Sequence, residues 1–498
     1  MKYQRYNDFL TGKDSGEPLK SAIIYEGRHI SYKELTAHIA TCKAYLDKLK
    51  IRKGHTVVLM MENIPEFVVC FISVLQRRAI VFPVNPKIST SEIKSLLLES
   101  RASHVICTQE CYPGNKAFDG TFVGSVTTAK LTQDVLMCKE IYCSKNRKNN
   151  PRQILAKKSG DEFCIRQYSS GSTGKPKHVL LTFRNLFYQA FQFTDALCLT
   201  EEEIFAAAVP LYHSYGLLNI LATFYLRATL LLIKNFLPHK TVDFIATYKA
   251  TVFLTTPFML DILANSYNDR KEKNAFKTLY FCVSSTGLLR KEIYKNFHKR
   301  YKVPVFVQYG STETGAATIR FAKIFNENVV GKPMKQVKIK IFDNNFKHLC
   351  KGIGKIGIKS PAACQGYLGN SAQGNASFRR GYVFPGDIGY IDNSGDLHIV
   401  GRDDIINVGG FKVDRLEVEN VIGSLPGIKE VVVYGVDEGS TQIVRAAIIL
   451  KKKITERKIL AYAKKRLADY KIPKKIIYVE KFPMDEKGKI LRQQLEKL

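Results

Sequence analysis

Strand-like and helix-like segments alternate along much of the first 310 residues, and this alternation constrains the fold more than any other feature. A short apolar run in "KGHTVVLMME" has the length of a strand, and "PEFVVCFISVLQRRA" has the length and apolar faces of a helix. "IVFPVNP" then predicts a strand ended by prolines, and "SEIKSLLLESRASHVIC" a further helix and strand. The alternation returns between residues 185 and 310. It predicts layered α/β structure.

The pattern changes near Val329. "VKIKIFDNNFKHL", "GKIGIKSP" and "GYIDNSGDLHIVGR" are short strands joined by Asn, Asp and Gly turns, which is typical of a small β-rich subdomain. After residue 402 the segments follow a compact α+β pattern. We therefore predict a large N-terminal domain over residues 1–401, with its β-rich subdomain at about 329–401, and a small mobile α+β C-terminal domain over 402–498.

The chain is strongly basic, with 76 Lys and Arg against 45 Asp and Glu and a formal net charge of +31. Nucleic acid, an anionic membrane surface or an acidic protein could each bind such a chain, and a generally solvated basic surface explains the charge equally well. The longest apolar run, Leu217 to Ile233, contains Asn219 and Arg227, so it predicts a core helix followed by a strand rather than a membrane span. The first residues lack the apolar core of a secretory signal, and a cytoplasmic location is expected.

The stretch "YSSGSTGKPKHVLLT", residues 168–182, has the composition of a loop that surrounds an anion. Its glycines let backbone N–H groups approach closely, its hydroxyls add donors, and its lysines add positive charge. It is not a Walker A loop, because only two residues, rather than four, separate Gly171 from the Gly-Lys pair that follows. Taken by itself, the stretch is explained equally well as a solvated turn. "GIGKIG" at 352–357 matches a dinucleotide pattern by letter, but it leads into a strand and predicts β turns.

Three further stretches hold side chains suited to nucleotide chemistry. "QYGSTETGAA" places Glu313 beside hydroxyls, as a magnesium ligand or as part of a helix cap. "FPGDIGYID" holds Asp387 on a glycine-flanked turn, where it could accept both hydroxyls of a ribose or be an ordinary turn residue. "FPMDEKGKILRQQL" leaves Lys489 after a glycine near the C-terminus. Each stretch, considered separately, favours the purely structural explanation.

Together these stretches resemble the signatures of the adenylate-forming superfamily, which includes acyl-CoA synthetases, amino-acid adenylation domains and firefly luciferase. "YSSGSTGKPKHV" is similar to its phosphate loop, and "PLYHSYG", "YGSTET", "VVGKP", "PGDIGY", "GRDD" and "GKILRQQL" follow in the family order. The resemblance covers nearly the whole chain. It implies a two-step reaction, in which a carboxylate attacks the α-phosphorus of ATP and a thiol then displaces AMP from the acyl adenylate.

The resemblance also implies a role for each matching residue. The β- and γ-phosphates would be bound by Ser169, Ser170, Gly171, Ser172, Thr173, Gly174 and Lys177. Thr286 and Gly287 would flank the adenine, and Tyr309, followed by Gly310, would stack on it. Thr312 would touch the α-phosphate, Glu313 would hold Mg²⁺, and Asp387 and Arg402 would bind the ribose. Lys489 would bridge the carboxylate and the α-phosphate, where negative charge develops.

For the second step, the resemblance implies that the small domain rotates about a hinge at Asp403 or Asp404 and withdraws Lys489. Gly409 and Gly410 would then line the path of the pantetheine. Coenzyme A is the expected acceptor. The phosphopantetheine of an acidic acyl carrier protein is the alternative, because the small domain is strongly basic. A nucleic-acid-binding protein is disfavoured, since no recognisable binding module is present. Peripheral membrane contact and the oligomeric state are left open.

The stretch that matches the substrate-pocket helix, "YHSYGLLNILATF", contains no acidic residue. An amino-acid substrate is therefore disfavoured, because its ammonium would be buried without a partner. A fatty or aryl acid is expected instead, since the neighbouring residues are small or apolar: Gly216, Leu217, Ser285, Gly315 and Ala316. By resemblance, His213 would lie at the mouth of this pocket.

The chain departs from the family pattern at four places. His178 replaces the usual glycine after "KPK", and we expect it to narrow or stiffen the phosphate loop. Pro385 replaces the usual threonine before Gly-Asp, and Arg77 with Arg78 replaces a small turn. The segment between Arg402 and Gly410 is one residue shorter than expected, which bears on the hinge.

Overall fold

The computed structural model describes residues 18–114, 125–131, 136–143, 162–169, 177–265, 275–321, 325–326, 328–343, 345–368, 377–401, 405–439, 441–483 and 492–495. The large domain begins with β1 (Ser21–Tyr25), β2 (Arg28–Ser31), α1 (Tyr32–Lys48), β3 (Thr56–Met60), α2 (Pro65–Gln76), β4 (Ile80–Pro83), α3 (Thr90–Ser100), β5 (His104–Cys107), β6 (Ser125–Leu131), β7 (Leu136–Cys143), β8 (Phe163–Ser169) and β9 (Lys177–Thr182). It continues with α4 (Phe183–Ala196), β10 (Ile204–Ala207), α5 (Ser214–Leu226), β11 (Thr229–Leu232), α6 (Pro238–Thr247), β12 (Val252–Thr255), α7 (Pro257–Asn265), β13 (Phe281–Ser284), α8 (Lys291–Tyr301), β14 (Val305–Ser311) and β15 (Gly315–Arg320).

The β-rich part and the small domain follow. The former holds β16 (Val329–Pro333), β17 (Lys338–Phe342), β18 (His348–Leu349), β19 (Gly354–Lys359), β20 (Phe378–Arg379), β21 (Tyr382–Val383), β22 (Ile388–Ile391) and β23 (Leu397–Gly401). The small domain holds β24 (Ile405–Val408), β25 (Phe411–Asp414), α9 (Arg415–Gly423), β26 (Ile428–Glu438), β27 (Thr441–Leu450), α10 (Glu456–Lys464), a 3₁₀ turn (Asp469–Lys471), β28 (Lys475–Tyr478) and α11 (Arg492–Leu495).

The first sheet of the large domain has seven strands in the order β7-β6-β5-β3-β4-β8-β9. Its centre is parallel, and its strands are fully buried apolar runs, as expected of a sheet covered on both faces. β8 and β9 form an antiparallel hairpin at one edge, with Ser169 paired to Lys177. This hairpin brackets residues 170–176, the centre of the predicted phosphate loop.

The second sheet has a parallel core in the order β14-β13-β12-β10-β11-β1. Because parallel strands end at the same edge, the segments after β10, β13 and β14 meet there. These segments carry the signatures around His213, Thr286 and Thr312. The sheet continues through antiparallel β15 and β16 into the β-rich part, which brings β22 and the preceding Asp387 towards the same edge.

The small domain packs helices α9 and α10 on one face of the three-stranded sheet β26-β27-β28. One apolar cluster joins β24, β25, α9 and α10 to that face, and a second cluster on the opposite face includes Leu495 of α11. The domain also contacts the large domain through Lys471, whose Nζ lies 3.0 Å from Glu92 of α3 and 2.7 Å from Glu417 of α9. Burial opposes this charge, but Tyr470, Glu417 and Glu92 together hold the pKa of Lys471 above its usual range.

The predicted fold class is confirmed, since a large α/β domain with a β-rich part precedes a small α+β domain. Residues 217–233 form most of α5 and then β11, as predicted, and "GIGKIG" leads into β19 rather than a helix. The boundary at 401/402 falls beside the undescribed residues 402–404, so it stays a prediction.

Candidate active site

The turn between β14 and β15 carries Thr312 and Glu313. A Cβ at Gly310 would lie 2.1 Å from the carbonyl oxygen of Gly315, so glycine is needed for this tight turn. Glu313 is 7% exposed, and the hydroxyl of Tyr367 donates to its Oε1 at 3.0 Å. The hydroxyl of Thr312 lies 3.4 Å from that of Ser214, the first residue of α5. The turn therefore presents a hydroxyl and a held carboxylate at the helix start.

Tyr309 and Asp387 meet beside this turn. The Tyr309 hydroxyl donates to Asp387 Oδ2 at 2.6 Å, although the residues are 78 positions apart. The structure thus brings together the two side chains that the sequence assigns to the adenine and the ribose.

His213 is the N-cap residue of α5, and its Nδ1 accepts from the backbone N–H of Tyr215 at 3.3 Å. Burial, and then the nearby Lys412, lower the pKa of His213 to about 4. The imidazole is therefore neutral near pH 7. In this state it can accept or donate a hydrogen bond at the mouth of a pocket without adding charge.

The small domain contacts the large domain at Thr286 and Gly287, the residues that the sequence analysis assigns to the adenine. Thr286 has a φ of 74°, and its carbonyl oxygen accepts from Nδ2 of Asn407 in β24 at 2.6 Å. A Cβ on Gly287 would lie 2.6 Å from the same Nδ2. Gly409 and Gly410 form the turn of hairpin β24–β25, with φ of 59° and 95°. A glycine pair suits this turn, because positive φ at both positions is costly for other residues.

Lys177 is the first residue of β9 and directly follows residues 170–176, the centre of the predicted phosphate loop. Its Nζ is 5.0 Å from the ring centre of Tyr367, whose hydroxyl donates to Glu313. Tyr367 thereby connects the lysine of the phosphate loop to the predicted magnesium ligand. Ser169 also lies at the end of β8, but its side chain is outside the described residues.

His178, the second residue of β9, is buried in the domain core. Its Nδ1 accepts from Nε of the fully buried Arg166 at 2.8 Å, and Arg166 also donates to the carbonyl oxygens of Glu99 and Ser100 at the end of α3. Burial, and then Arg166, lower the pKa of His178 to about 3. The side chain that replaces the usual glycine thus pairs with an arginine and ties hairpin β8–β9 to α3.

Replacing His178 by glycine is expected to lower the free energy of unfolding by about 1–3 kcal/mol, because a buried Arg166 N–H loses its acceptor. His178→Gln keeps an acceptor and should lose less. Urea unfolding at pH 7.5, with the exposed His239→Gln as control, measures both effects. A free energy of unfolding equal to that of the wild type in His178→Gly would contradict the role of His178 as the acceptor for Arg166.

The same histidine should make stability depend on pH. Its folded pKa of about 3 is below the ordinary value near 6.5, so the unfolded chain binds more protons in between. Stability should therefore fall as pH is lowered through this range, and His178→Gln should fall less steeply than wild type. Parallel slopes for the two proteins would contradict this account.

Two cavities meet at the site. The larger, about 590 Å³, lies between the domains and is lined by Tyr168, Thr312, Glu313, Phe411, Lys412 and Lys471 among others. The smaller, about 60 Å³, continues beside His213 and is lined by Gln189, Leu218, Ser285, Gln308, Gly315 and Ala316. Ser285, Gly315 and Ala316, which the sequence analysis expects at an acyl pocket, line this smaller cavity, and its role as the acyl pocket stays a prediction. Gly216 and Leu217 are buried within α5.

Several predicted residues lie outside the part of the chain that the structure describes: Ser170, Gly171, Ser172, Thr173, Gly174, Arg402, Asp403, Asp404 and Lys489. Their roles, and the effect of the shortened hinge segment, stay predictions. One other departure, the Arg77–Arg78 pair, is accounted for locally, and nothing in the structure explains Pro385. Arg77 pairs with Asp47, and Arg78 adopts a φ of 53° and pairs with Glu162.

The fit of a magnesium ion depends on Glu313. Among the described residues no group of three or more His, Cys, Asp or Glu side chains could hold a metal ion. This is compatible with magnesium, which is typically bound by one or two carboxylates together with water and substrate phosphates. Glu313, directly after Thr312 and linked through Tyr367 to Lys177, offers such a carboxylate.

The sequence analysis missed four residues of this region: Arg166, Tyr367, Asn407 and Lys412. Arg166 is an arginine within the otherwise apolar start of β8, and that break in the pattern was a usable signal. The contacts of Tyr367 and Asn407 join residues 54 and 121 positions apart, and nothing local predicts them.

The family model described as AMP-binding enzyme matches residues 13–368, and the AMP-binding enzyme C-terminal domain matches residues 417–489. The chain belongs to the AMP-binding enzyme family. The match confirms the predicted superfamily and, with the relatives below, an enzyme of the acyl-CoA synthetase type.

The relatives of this AMP-binding enzyme align along nearly its full length. The 2-succinylbenzoate–CoA ligase of Bacillus subtilis (strain 168) is 29% identical over 490 residues, 96% of this chain and 95% of that protein. The long-chain-fatty-acid–CoA ligase of the same strain is 26% identical and covers 98% and 93%. Both are named CoA ligases, and neither supports the carrier-protein or nucleic-acid alternative.

Solved structures support the fold. That of a double mutant of o-succinylbenzoate CoA synthetase from Bacillus subtilis, bound with a product analogue, has a TM-score of 0.83 at 25% identity and covers 96% of both chains. An amide bond synthetase from Marinactinospora thermotolerans has a TM-score of 0.85 at 18% identity, covering 100% of this chain and 99% of that one. Within the described residues, no helix has the length and apolarity that a membrane crossing requires.

Proposed function

We propose that this AMP-binding enzyme converts a carboxylic acid into its CoA thioester through an acyl adenylate. The observation that carries the proposal is the convergence of the Tyr309–Asp387 pair, Thr312 and Glu313 at one sheet edge. These groups suit the adenine, ribose and α-phosphate of ATP. The CoA ligase relatives support the same reaction.

In the first step, a carboxylate oxygen attacks the α-phosphorus and pyrophosphate leaves. Thr312 would donate to the α-phosphate, Lys177 would attract the outer phosphates, and Lys489 would add a cation where charge develops. A magnesium ion held by Glu313 would neutralise phosphate charge. Asp387 and Arg402 would fix the ribose, and positioning of this kind supplies much of the rate in phosphoryl chemistry.

In the second step, the CoA thiol attacks the acyl carbon and AMP leaves. We infer that the structure holds the small domain in the orientation used for this second step. The reason is that the Gly409–Gly410 hairpin contacts Thr286 beside the 590 Å³ cavity. The likeness to a CoA synthetase bound with a product analogue, over both domains, supports this inference. Rotation of the small domain about Asp403 or Asp404 would remove the hairpin from the active site and bring Lys489 there for the first step.

The acid is proposed to be an aryl or fatty acid. No acidic side chain lines the smaller cavity in the described part of the chain, so a substrate ammonium would lack a counter-charge. Ser285, Gly315 and Ala316 leave room for a tail, while Gln189 and Gln308 make the cavity partly polar.

The test is acid-dependent exchange of pyrophosphate into ATP. The purified chain would be assayed with 2-succinylbenzoate, benzoates, short and long fatty acids, and amino acids as the contrasting class. We expect exchange with aryl or fatty acids and none with amino acids. Exchange that is confined to amino acids, or absent with every acid from a folded protein, would refute the proposal.

A further inference from the structure

The hairpin β24–β25 brings Lys412 to the candidate site. The superfamily resemblance assigns no role to this lysine. Asn407 pairs directly with Lys412 across the two strands, and Val408 pairs with Phe411. Side chains of directly opposed residues project from the same face of an antiparallel pair. The contacts of Asn407 therefore define the face from which Lys412 projects.

That face is docked on the large domain. Asn407 Nδ2 donates to the carbonyl oxygen of Thr286 at 2.6 Å, and the N–H of Gly410 donates to Asn407 Oδ1 at 3.2 Å. A Cβ on Gly410 would lie 3.3 Å from the hydroxyl oxygen of Thr286 and 3.4 Å from Cγ2 of Thr256. The hairpin thus fits closely against the end of β13 and the start of α7.

Lys412 lines both cavities, and it does so with His213, Ser214 and Thr312. Of these, Thr312 is the residue that the resemblance assigns to the α-phosphate, and His213 the one that it assigns to the mouth of the acyl pocket. His213 is neutral here, because burial and then Lys412 lower its pKa to about 4. Among the described residues of the smaller cavity, Lys412 thus supplies the positive charge.

The element that follows Lys489 is on the other side of the small domain. Leu495 of α11 is fully buried against Val432 and Tyr434, whereas Ile406 and Val413 of the hairpin pack with Val433 on the opposite face of β26. One docked orientation therefore does not bring the hairpin and α11 to the same cavity.

We propose that Lys412 is a catalytic residue of thioester formation, the cation that faces the acyl adenylate after Lys489 has been withdrawn. The proposal rests on the proposed function. As the C–S bond forms, negative charge develops on the carbonyl oxygen. The C–O bond to the phosphate then breaks, its electron pair leaves with AMP, and the thiol proton passes to solvent. A fixed ammonium beside this charge lowers the barrier.

The experiment separates the two half-reactions of the full-length protein. Pyrophosphate exchange measures adenylate formation, and single-turnover discharge of the enzyme-bound acyl adenylate by saturating CoA measures thioester formation. Lys412→Met should slow discharge about 100-fold and leave exchange close to wild type. Lys412→Arg, which keeps the charge, should recover most of the discharge rate, and exposed Lys452→Met is the matched control.

Three results would overturn the role of Lys412. Discharge at the wild-type rate in Lys412→Met would show that the charge is not needed. Full recovery of the Lys412→Met discharge rate when CoA is raised above the concentration that saturates the wild type would show a role in CoA binding only. Equal losses in both half-reactions would show a structural or adenylation role. Absence of exchange in the wild-type protein would instead refute the proposed function, so the two failures are distinguishable.

Discussion

Lys489→Ala is expected to slow acid-dependent pyrophosphate exchange on the order of a hundredfold or more, which corresponds to about 3 kcal/mol of transition-state stabilisation. The lysine is proposed to bridge the attacking carboxylate and the α-phosphate, and no other residue of the chain is assigned that bridge. Lys489→Arg should retain part of the rate, since it keeps the charge but changes its geometry.

The same variant should discharge a supplied acyl adenylate to CoA at nearly the wild-type rate, because the proposed mechanism places the hairpin rather than Lys489 at the site in that step. The control is Lys481→Ala, an exposed lysine of the same domain, and both half-reactions would be measured. Equal loss of exchange and discharge in Lys489→Ala would contradict a role confined to the first step.

Glu313→Gln is expected to reduce exchange by about 100-fold at low magnesium, with part of the loss recovered as magnesium is raised. Glutamine keeps the shape of the side chain and can still accept from Tyr367, but it removes the charge that attracts the ion. Tyr367→Phe, which removes the 3.0 Å hydrogen bond to Glu313, should have a smaller effect because the carboxylate remains.

Exchange measured across a magnesium series tests this assignment, with exposed Glu456→Gln as the control. An unchanged magnesium dependence in Glu313→Gln would show that this carboxylate does not hold the ion. A Tyr367→Phe variant that is more impaired than Glu313→Gln would show that the tyrosine acts independently of the carboxylate.

The helices and strands of the large domain could be predicted, because its strands are short apolar runs and residues such as proline mark their ends. β3, β4 and α2 occur where the pattern places them, and the proline at the start of α2 occupies a position that favours helix initiation. In the small domain the stretch "TERKILAYAKKRLADY", residues 455–470, has the spacing of one continuous helix. The structure ends α10 at Lys464 and places a 3₁₀ turn at Asp469–Lys471. Lys471 there pairs with Glu92, a tertiary contact that no local pattern reports.

The site residues that belong to short sequence motifs could be predicted. Contacts between residues far apart in the sequence could not. Thr312, Glu313 and Asp387 were named from short stretches, and the structure brings Tyr309 and Asp387 into hydrogen-bond contact. His178 was expected to narrow or stiffen the phosphate loop, and this stays a prediction because residues 170–176 lie outside the described part of the chain. The sequence alone did not predict that the His178 side chain accepts a hydrogen bond from the buried Arg166 on the neighbouring strand.

The most direct test of the central claim is to quantify every product of one reaction mixture. The full-length chain would be incubated with ATP, magnesium, CoA and an acid that supports exchange, and AMP, ADP, pyrophosphate and acyl-CoA would be measured together. The account predicts AMP, pyrophosphate and acyl-CoA in equal amounts and no acid-dependent ADP. ADP as the nucleotide product, or AMP formed without thioester when CoA is saturating, would contradict it.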